Sequence, residues 1–247
     1  MSVTLYDQIA PTYVSTRQPD PRIAAAITAA IGDADSIVNV GAGAGSYEPV
    51  VKRVVAVEPS RPMILQRPRM SSAVVQAVAE ALPFRPGTFD AALAVLTLHH
   101  WSDWRKGVAE MRRAARRIVV FTFDVNARDP FWLTHTYFPE INELDRRRSP
   151  AMSEILEELG DCRIDPVPIP GDCSDGFLAA FWRRPEMYLD PKVRAGISGL
   201  ALLDEGTVAR GTARLRADLE SGAWEERFGY LRSLDALDAG YRLLVTR

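Results

Sequence analysis

Three glycines, Gly41, Gly43 and Gly45, alternate with alanines directly after the apolar run 36–40. Glycine is useful where the backbone must turn sharply or let a ligand approach closely. A dinucleotide-binding fingerprint needs a further glycine three residues after the second, and Ser46 occupies that position. The spacing therefore predicts a tight turn that a ligand can approach, but not a pyrophosphate site on a helix N-terminus. Simple packing of the turn is the alternative.

A carboxylate, Glu58, ends the next apolar run, 53–57. A carboxylate at the end of a strand can accept hydrogen bonds from both hydroxyls of a ribose. A solvated glutamate is the alternative, but together with the glycines this residue favours a nucleoside ligand.

Two adjacent histidines, His99 and His100, follow a later apolar run and precede a predicted helix. A histidine can accept a proton near neutral pH, and the partial positive charge of a helix N-terminus favours neutral imidazole. Both are therefore candidate general bases. For either residue, a hydrogen bond to the backbone that fixes the loop is the alternative.

Candidate substrate contacts also occur in the second half of the chain. His135 and Tyr137 belong to an aromatic segment, and Asp172 and Cys173 belong to a polar turn, 171–176. Packing within a core or lid is the alternative for the aromatic segment, and a plain connecting loop is the alternative for the turn. The spacing of His, Cys, Asp and Glu does not resemble a metal site, so we expect no metal.

The elements that must position these residues alternate between strands and helices in the first two thirds of the chain. Apolar, β-branched strands without polar alternation indicate burial on both faces, and hence a parallel, doubly wound sheet. Such folds bind ligands at the carboxyl ends of their strands, where the glycines and Glu58 lie. The predicted strands are 36–40, 53–57, 73–77, 89–96 and 117–123. The predicted helices are 60–67, 102–115 and 149–159, and a further helix is predicted to begin within 46–52.

The pattern changes after residue 124. Prolines within 162–169 predict an edge strand, 174–237 reads as several helices, and 241–246 is strand-like. The predicted division is a core over 1–128, a helical and aromatic lid region over 129–240, and a final strand over 241–247 that returns to the core sheet.

The composition is that of a globular protein. The 247 residues are 47% hydrophobic and 25% charged, with a net charge of -2. This charge gives no electrostatic case for nucleic acid or an anionic membrane as a partner. The chain's apolar stretches, first residues and two cysteines lead us to expect no membrane span, no signal peptide and no disulfide framework. We therefore expect a cytoplasmic monomer or homodimer that has no membrane partner, and the charge counts against nucleic acid as a partner.

Four segments, in order, resemble the class I S-adenosylmethionine-dependent methyltransferases, particularly the ubiquinone/menaquinone-methyltransferase-like, type 11 branch, which acts on small molecules. They are "YDQIAPTYVSTR", "VNVGAGAG", "VVAVEPSRPM" and "VAEALPFRPGTFDAALAVLTLHHW". The resemblance covers roughly residues 1–125. It implies an α/β, Rossmann-like, doubly wound and mostly parallel sheet of seven strands with a helical lid insertion. It also implies S-adenosyl-L-methionine as cofactor and S-adenosyl-L-homocysteine as product.

The resemblance further implies roles at matching positions. The glycine turn would take the methionine portion of the cofactor, and the second strand end would take the ribose and adenine. Val78 stands where relatives often carry an Asp that accepts from adenine, which leaves a backbone carbonyl or a water as the alternative acceptor. The implied cofactor-binding residues are Tyr13, Arg17, Gly41, Gly43, Gly45, Glu58, Pro59, Met63, Ala79, Glu80, Val95 and Leu96.

The segment after the fourth strand bears on the type of acceptor. Thr97-Leu98-His99-His100 occupies the place of an Asn-Pro-Pro-Tyr-type motif, which counts against methylation of amino groups on nucleic-acid bases. We therefore expect a small-molecule acceptor, with O-, N-, S- and C-methylation all open. The alternatives are an RNA or protein methyltransferase of the same fold, an NAD(P)-dependent oxidoreductase, and a non-catalytic nucleoside-binding module.

Overall fold

Seven strands form one sheet in the computed structural model, which describes residues 17–68, 71–128 and 131–246. The described strands are β1 (Ser36–Val40), β2 (Arg53–Val57), β3 (Ala73–Val75), β4 (Phe89–Val95), β5 (Ala115–Phe123), β6 (Cys162–Pro166), β7 (Ile169–Pro170), β8 (Ala236–Leu237) and β9 (Tyr241–Thr246). The sheet order is β3-β2-β1-β4-β5-β9-β6, and β7 pairs separately with β8. Strands β1 to β5 are parallel, whereas β9 is antiparallel to both of its neighbours. The predicted seven-stranded, mostly parallel sheet is confirmed.

Helices and helical turns connect these strands. The described α-helices are α1 (Pro21–Ile31), α2 (Arg61–Leu65), α3 (Trp104–Ala114), α4 (Val125–Arg128), α5 (Pro139–Arg148), α6 (Met152–Leu159), α7 (Pro191–Ala195), α8 (Ser198–Ala201), α9 (Glu205–Ser221) and α10 (Ala223–Phe228). Shorter turns are the 3₁₀ segments Leu98–His100, Pro185–Leu189 and Gly229–Ser233, and the π-helical segment Leu133–Tyr137.

The prediction that a helix begins within 46–52 is wrong, because this segment forms turns. Tyr47 has φ +64°, a left-handed conformation that cannot continue a right-handed helix. The neighbouring Glu48 is instead bound by Arg67, whose guanidinium nitrogen lies 2.7 Å from one carboxylate oxygen. Ser72 donates to the same carboxylate at 2.7 Å. Side chains from beyond β2 therefore hold the glycine turn in place of a local helix.

Capping explains two other shifts of helix boundaries. The helix predicted from Ser102 begins at Trp104, because the carboxylate of Asp103 accepts the N–H of Lys106 at 3.0 Å and makes Asp103 the N-cap. The helix predicted from Ser149 begins at Met152, since the carboxylate of Glu154 accepts the Ala151 N–H at 3.0 Å. In both cases the side chain that caps the helix decides where it begins.

Apolar clusters pack on the two faces of the sheet. One face carries α3 and α6, which bury Val108, Met111 and Ile155 against the strands. The other face carries α1 together with residues from the predicted lid region. That region has its own aromatic centre, in which the Trp132 ring packs edge-to-face on Trp224 at 5.4 Å between ring centroids. Because this centre belongs to the same cluster as the sheet face, the region packs directly on the sheet.

Candidate active site at the strand ends

A first cavity opens at the carboxyl ends of β1, β2 and β4, with an empty volume of about 1150 Å³ that includes the part open to solvent. Ten of the predicted cofactor residues line it: Arg17, Gly41, Gly43, Glu58, Pro59, Met63, Ala79, Glu80, Val95 and Leu96. Gly45 lies behind this wall, where a Cβ would come within 3.2 Å of the Arg67 guanidinium. Tyr13 lies outside the described residues. The strand ends therefore bring nearly all of the predicted set together.

The glycine turn lets the backbone itself form one wall of the first cavity. Gly41 has φ +70°, and a Cβ there would overlap the Thr97 hydroxyl at the end of the neighbouring strand. Gly43 has φ +54°, and a Cβ there would come within 3.3 Å of the Met63 methyl group. Gly41 is thus required both by conformation and by space.

Glu58 is held by backbone amides. One carboxylate oxygen accepts the Gly43 N–H at 2.8 Å, and the other accepts the Ser60 N–H at 2.9 Å. The side chain is buried, and this burial raises the pKa of Glu58. Each carboxylate oxygen can accept more than one hydrogen bond, so the amides orient Glu58 without saturating it. The arrangement suits a ligand with two hydroxyl groups.

Glu80 joins the β3–β4 connection to the start of α3. Its carboxylate accepts the Ser102 hydroxyl at 2.8 Å and the Asp103 N–H at 3.0 Å. Although burial alone would raise its pKa, these hydrogen bonds lower the pKa of Glu80. Glu80 therefore fixes the rim of the first cavity as an ionised side chain.

Leu96 turns the chain sharply at the floor of the first cavity. Its φ is +50°, a left-handed conformation that residues other than glycine rarely adopt. Its N–H donates to the Phe121 carbonyl at 2.7 Å, which anchors the turn to β5. Such conformations persist where the surrounding structure holds them, and they cluster at functional sites.

The two histidines follow this turn. Their ring centroids are 3.8 Å apart with an interplanar angle of 48°. Burial, with further contributions from His99 and Arg148, lowers the pKa of His100 well below its usual range. Burial therefore favours the neutral form of the His100 imidazole.

A second cavity, of about 510 Å³ including its open mouth, adjoins the first. Arg17, Leu96 and His100 line both cavities, and His99 lines only the second. The other lining residues come from separate segments: Phe123, Asp145, Phe177, Leu178, residues 196–199 and Tyr241. Sequence reasoning missed this set because no local motif connects its members.

Asp175 links three parts of the molecule. Its carboxylate accepts from the Arg17 Nε at 2.7 Å and from the Tyr47 hydroxyl at 2.7 Å. Asp175 is only 1% exposed, and the Arg17 side chain is 10% exposed. The segment before α1, the glycine turn and the predicted lid region are therefore joined at one carboxylate. The turn 171–176 was singled out from the sequence, but this residue within it was not.

The four predicted substrate contacts line neither described cavity. His135 is exposed, and the Tyr137 hydroxyl donates to Asp218 at 2.7 Å within the predicted lid region. Asp172 is 74% exposed and pairs with Arg22 at 2.7 Å. Cys173 is buried, and this burial raises the pKa of its thiol to about 12. The structure does not bring these residues together.

Within the described ranges, no group of three His, Cys, Asp or Glu side chains is arranged to hold a metal ion. Nor do these ranges contain a helix with the length and apolar character needed to cross a membrane.

Comparisons with known proteins match both the sequence and the fold. Residues 38–122 match the family model described as a methyltransferase domain. The solved structure of a candidate methyltransferase from an antibiotic biosynthesis pathway of Anabaena variabilis is 36% identical. That similarity covers 94% of this chain and 99% of the other chain, with a TM-score of 0.87.

A second relative is the uncharacterized methyltransferase YcgJ of Bacillus subtilis. It is 28% identical over 133 residues, which are 47% of this chain and only 49% of that relative. The matched sequence thus spans about half the length of this curated relative. The YcgJ crystal structure has a TM-score of 0.51 and 20% identity, covers 91% of this chain and 96% of the other, and supports the fold alone.

Proposed function

Because this chain belongs to the class I S-adenosylmethionine-dependent methyltransferases, we propose that it methylates a small molecule held in the second cavity. The observation that carries this proposal is that the two cavities meet at Leu96 and His100. A ligand in the first cavity and a ligand in the second would therefore face each other across these residues.

The first cavity fits S-adenosylmethionine at two independent points. Glu58 would accept the ribose hydroxyls, since its orientation is fixed by the amides of Gly43 and Ser60. The side-chain oxygen of Asn39 is buried at the cavity, and no described residue donates to it. It suits the amino group of the methionine portion. A buried acceptor of this kind is costly unless a ligand or water completes it.

The remaining cofactor assignments follow the cavity wall. The backbone at Gly41 and Gly43 leaves room for the methionine portion, and Pro59 and Met63 provide apolar surface for adenine. Val95 and Leu96 would lie beneath the reacting group. Arg17 lines the first cavity and would pair its guanidinium with the cofactor carboxylate.

When bound, the cofactor supplies a methyl group that is already activated for transfer. The chain's own residues would align the acceptor with that methyl group and take up a proton. His100 is the proposed base because it borders both cavities, and His99 lies against it. The side chains around the reacting groups would keep water from competing with the acceptor for the methyl group.

The second cavity lies between side chains of several separate segments, which favours a small acceptor over RNA or protein. Its walls include residues of the predicted lid region, such as Phe177 and Ile197. The Anabaena relative, 36% identical, is assigned to an antibiotic pathway, which also supports a small-molecule acceptor.

A labelled-methyl assay tests this function. Purified protein would be incubated with S-adenosylmethionine labelled in its methyl group and with total RNA, total protein or a small-molecule extract. We expect label only in the small-molecule fraction, with loss of transfer in Glu58→Gln and normal transfer in Glu157→Gln, an exposed glutamate on α6. Label in RNA or protein would contradict the proposal.

The alternatives from a different class are tested by calorimetry. We expect S-adenosylhomocysteine to bind, and NAD and NADP not to bind. Binding of S-adenosylhomocysteine without transfer to any extract would favour a non-catalytic nucleoside-binding module.

A further inference from the structure

Three aromatic side chains form the wall of the second cavity. The rings of Phe177 and Tyr241 have centroids 4.8 Å apart at 51°, and those of Phe123 and Tyr241 are 6.2 Å apart at 60°. Aromatic rings prefer such tilted and edge-to-face neighbours over parallel face-to-face stacks. A further aromatic ring that enters this cavity would meet both edges and faces. The wall therefore favours an acceptor with an aromatic body.

The polar end of this cavity is the end that meets the first cavity. His99 and His100 lie there, and the His99 ring also packs on Phe123 at 5.2 Å between centroids. The aromatic wall and the imidazoles are therefore continuous. An acceptor whose ring lies on the wall would direct a hydroxyl group on that ring towards the histidines.

Arg17, a charged residue in the lining of the second cavity, is paired with the buried Asp175 at 2.7 Å. Asp145 also lies buried in the lining. A charged acceptor would bring a further charge into a buried space, which is costly without its own partner. These features favour an uncharged acceptor.

We infer that the second cavity takes an uncharged phenol-class acceptor, with its ring on Phe123, Phe177 and Tyr241 and its hydroxyl at His99 and His100. This inference rests on the proposed function and specifies its substrate class. In the reaction, the phenol oxygen forms a bond to the methyl carbon while the bond from that carbon to sulfur breaks. The bonding pair stays on sulfur, giving S-adenosylhomocysteine, and the phenol proton passes to imidazole and then to solvent.

Four simple probes test the inference in the presence of saturating S-adenosylhomocysteine. They are para-ethylphenol, its cationic analogue tyramine, its anionic analogue para-hydroxyphenylpropanoate, and the non-aromatic para-ethylcyclohexanol. Dissociation constants would be measured by calorimetry or ligand-observed NMR. We expect para-ethylphenol to bind most tightly, with both charged analogues weaker by about tenfold or more. Absence of binding by para-ethylphenol, or equal binding of a charged analogue, would overturn the inference.

Two variants locate the binding. Ser198→Phe places a large side chain in the lining at the start of α8 and should abolish probe binding while S-adenosylhomocysteine still binds. Ser221→Phe, at the exposed end of α9, is the matched control and should bind the probe normally. Phe177→Leu should reduce the preference for para-ethylphenol over para-ethylcyclohexanol. Unchanged probe binding in Ser198→Phe, or an unchanged preference in Phe177→Leu, would contradict the assignment.

The two proposals fail in different ways. Failure of wild-type protein to bind S-adenosylhomocysteine would overturn the proposed function itself. Normal binding of S-adenosylhomocysteine, with labelled transfer to a non-phenolic small molecule, would overturn only the inferred acceptor class.

Discussion

The two cavities that meet at His100 are built in different ways. The first is formed by backbone and by residues that directly follow strand ends, such as Gly41, Glu58 and Leu96. The second is formed by side chains from segments far apart in the chain, such as Asp145 and Phe177. Strand register fixes the first, whereas substitutions in connecting segments can reshape the second without disturbing the sheet. One fold can thus retain a cofactor while its acceptor changes.

Asp175 shows that the first and second cavities are nevertheless coupled. It belongs to the predicted lid region, yet it binds Tyr47 of the glycine turn and Arg17, which lines both cavities. A change at this carboxylate is therefore expected to affect both cavities at once.

The largest effect is expected at the backbone wall of the first cavity. Gly41→Ala adds a Cβ that overlaps Thr97 and also strains a φ of +70°. We expect binding of S-adenosylhomocysteine to be lost in calorimetry. Gly87→Ala is the matched control, since Gly87 has φ +64° but no atom within 4 Å of the added Cβ. Equal behaviour of the two variants would mean that close approach at Gly41 is unimportant.

The next largest effect is expected at Asp175, which couples the first and second cavities. Asp175→Asn removes the buried negative charge that binds Arg17 and Tyr47, and we expect a loss of roughly 3 kcal/mol in the free energy of unfolding. Urea denaturation measures this change. Asp172→Asn in the same turn removes only an exposed contact with Arg22 and should leave the midpoint nearly unchanged. Similar midpoints for both variants would refute a structural role for Asp175.

A smaller and more specific effect is expected for ribose recognition. Hydrogen bonds to a charged group are worth about 1.5–3 kcal/mol, so Glu58→Gln should weaken adenosine binding by about tenfold to a hundredfold. Dideoxyadenosine, which lacks both ribose hydroxyls, should bind equally to wild type and variant. A parallel loss for both nucleosides would indicate that Glu58 only holds Gly43 and Ser60.

The smallest effect concerns pH. Burial lowers the pKa of His100 below the ordinary value of 6.5, so below that pH the unfolded chain binds a proton that the folded protein excludes. Folding stability should therefore decrease as pH falls through this range. The decrease should be shallower in His100→Gln, measured by urea denaturation at several pH values. His135→Gln, at an exposed histidine outside both cavities, should follow the wild-type curve.

The first cavity could be predicted from the sequence because its residues follow apolar runs in chain order. The glycine turn itself was predicted, but the helix after it was not correct. That error arose because Tyr47 adopts a positive φ and because Glu48 pairs with Arg67. Both features depend on how distant segments of the chain pack together. Local propensity cannot reveal such contacts.

The second cavity could not be predicted, for the same physical reason on a larger scale. Asp172 and Asp175 lie in one polar turn, yet one is exposed and the other is buried against Tyr47. Nothing in the sequence of that turn distinguishes them, because the difference depends on where the turn packs. In the aromatic segment, likewise, Tyr137 donates a hydrogen bond to Asp218 and lines neither cavity.

The most direct test of the account is a structure of the protein bound to S-adenosylhomocysteine. We expect the ribose hydroxyls on Glu58, the methionine portion along Gly41 and Gly43, and the sulfur beside Leu96 facing the second cavity. A ligand bound elsewhere, or a sulfur atom separated from the second cavity, would contradict methyl transfer between the two cavities.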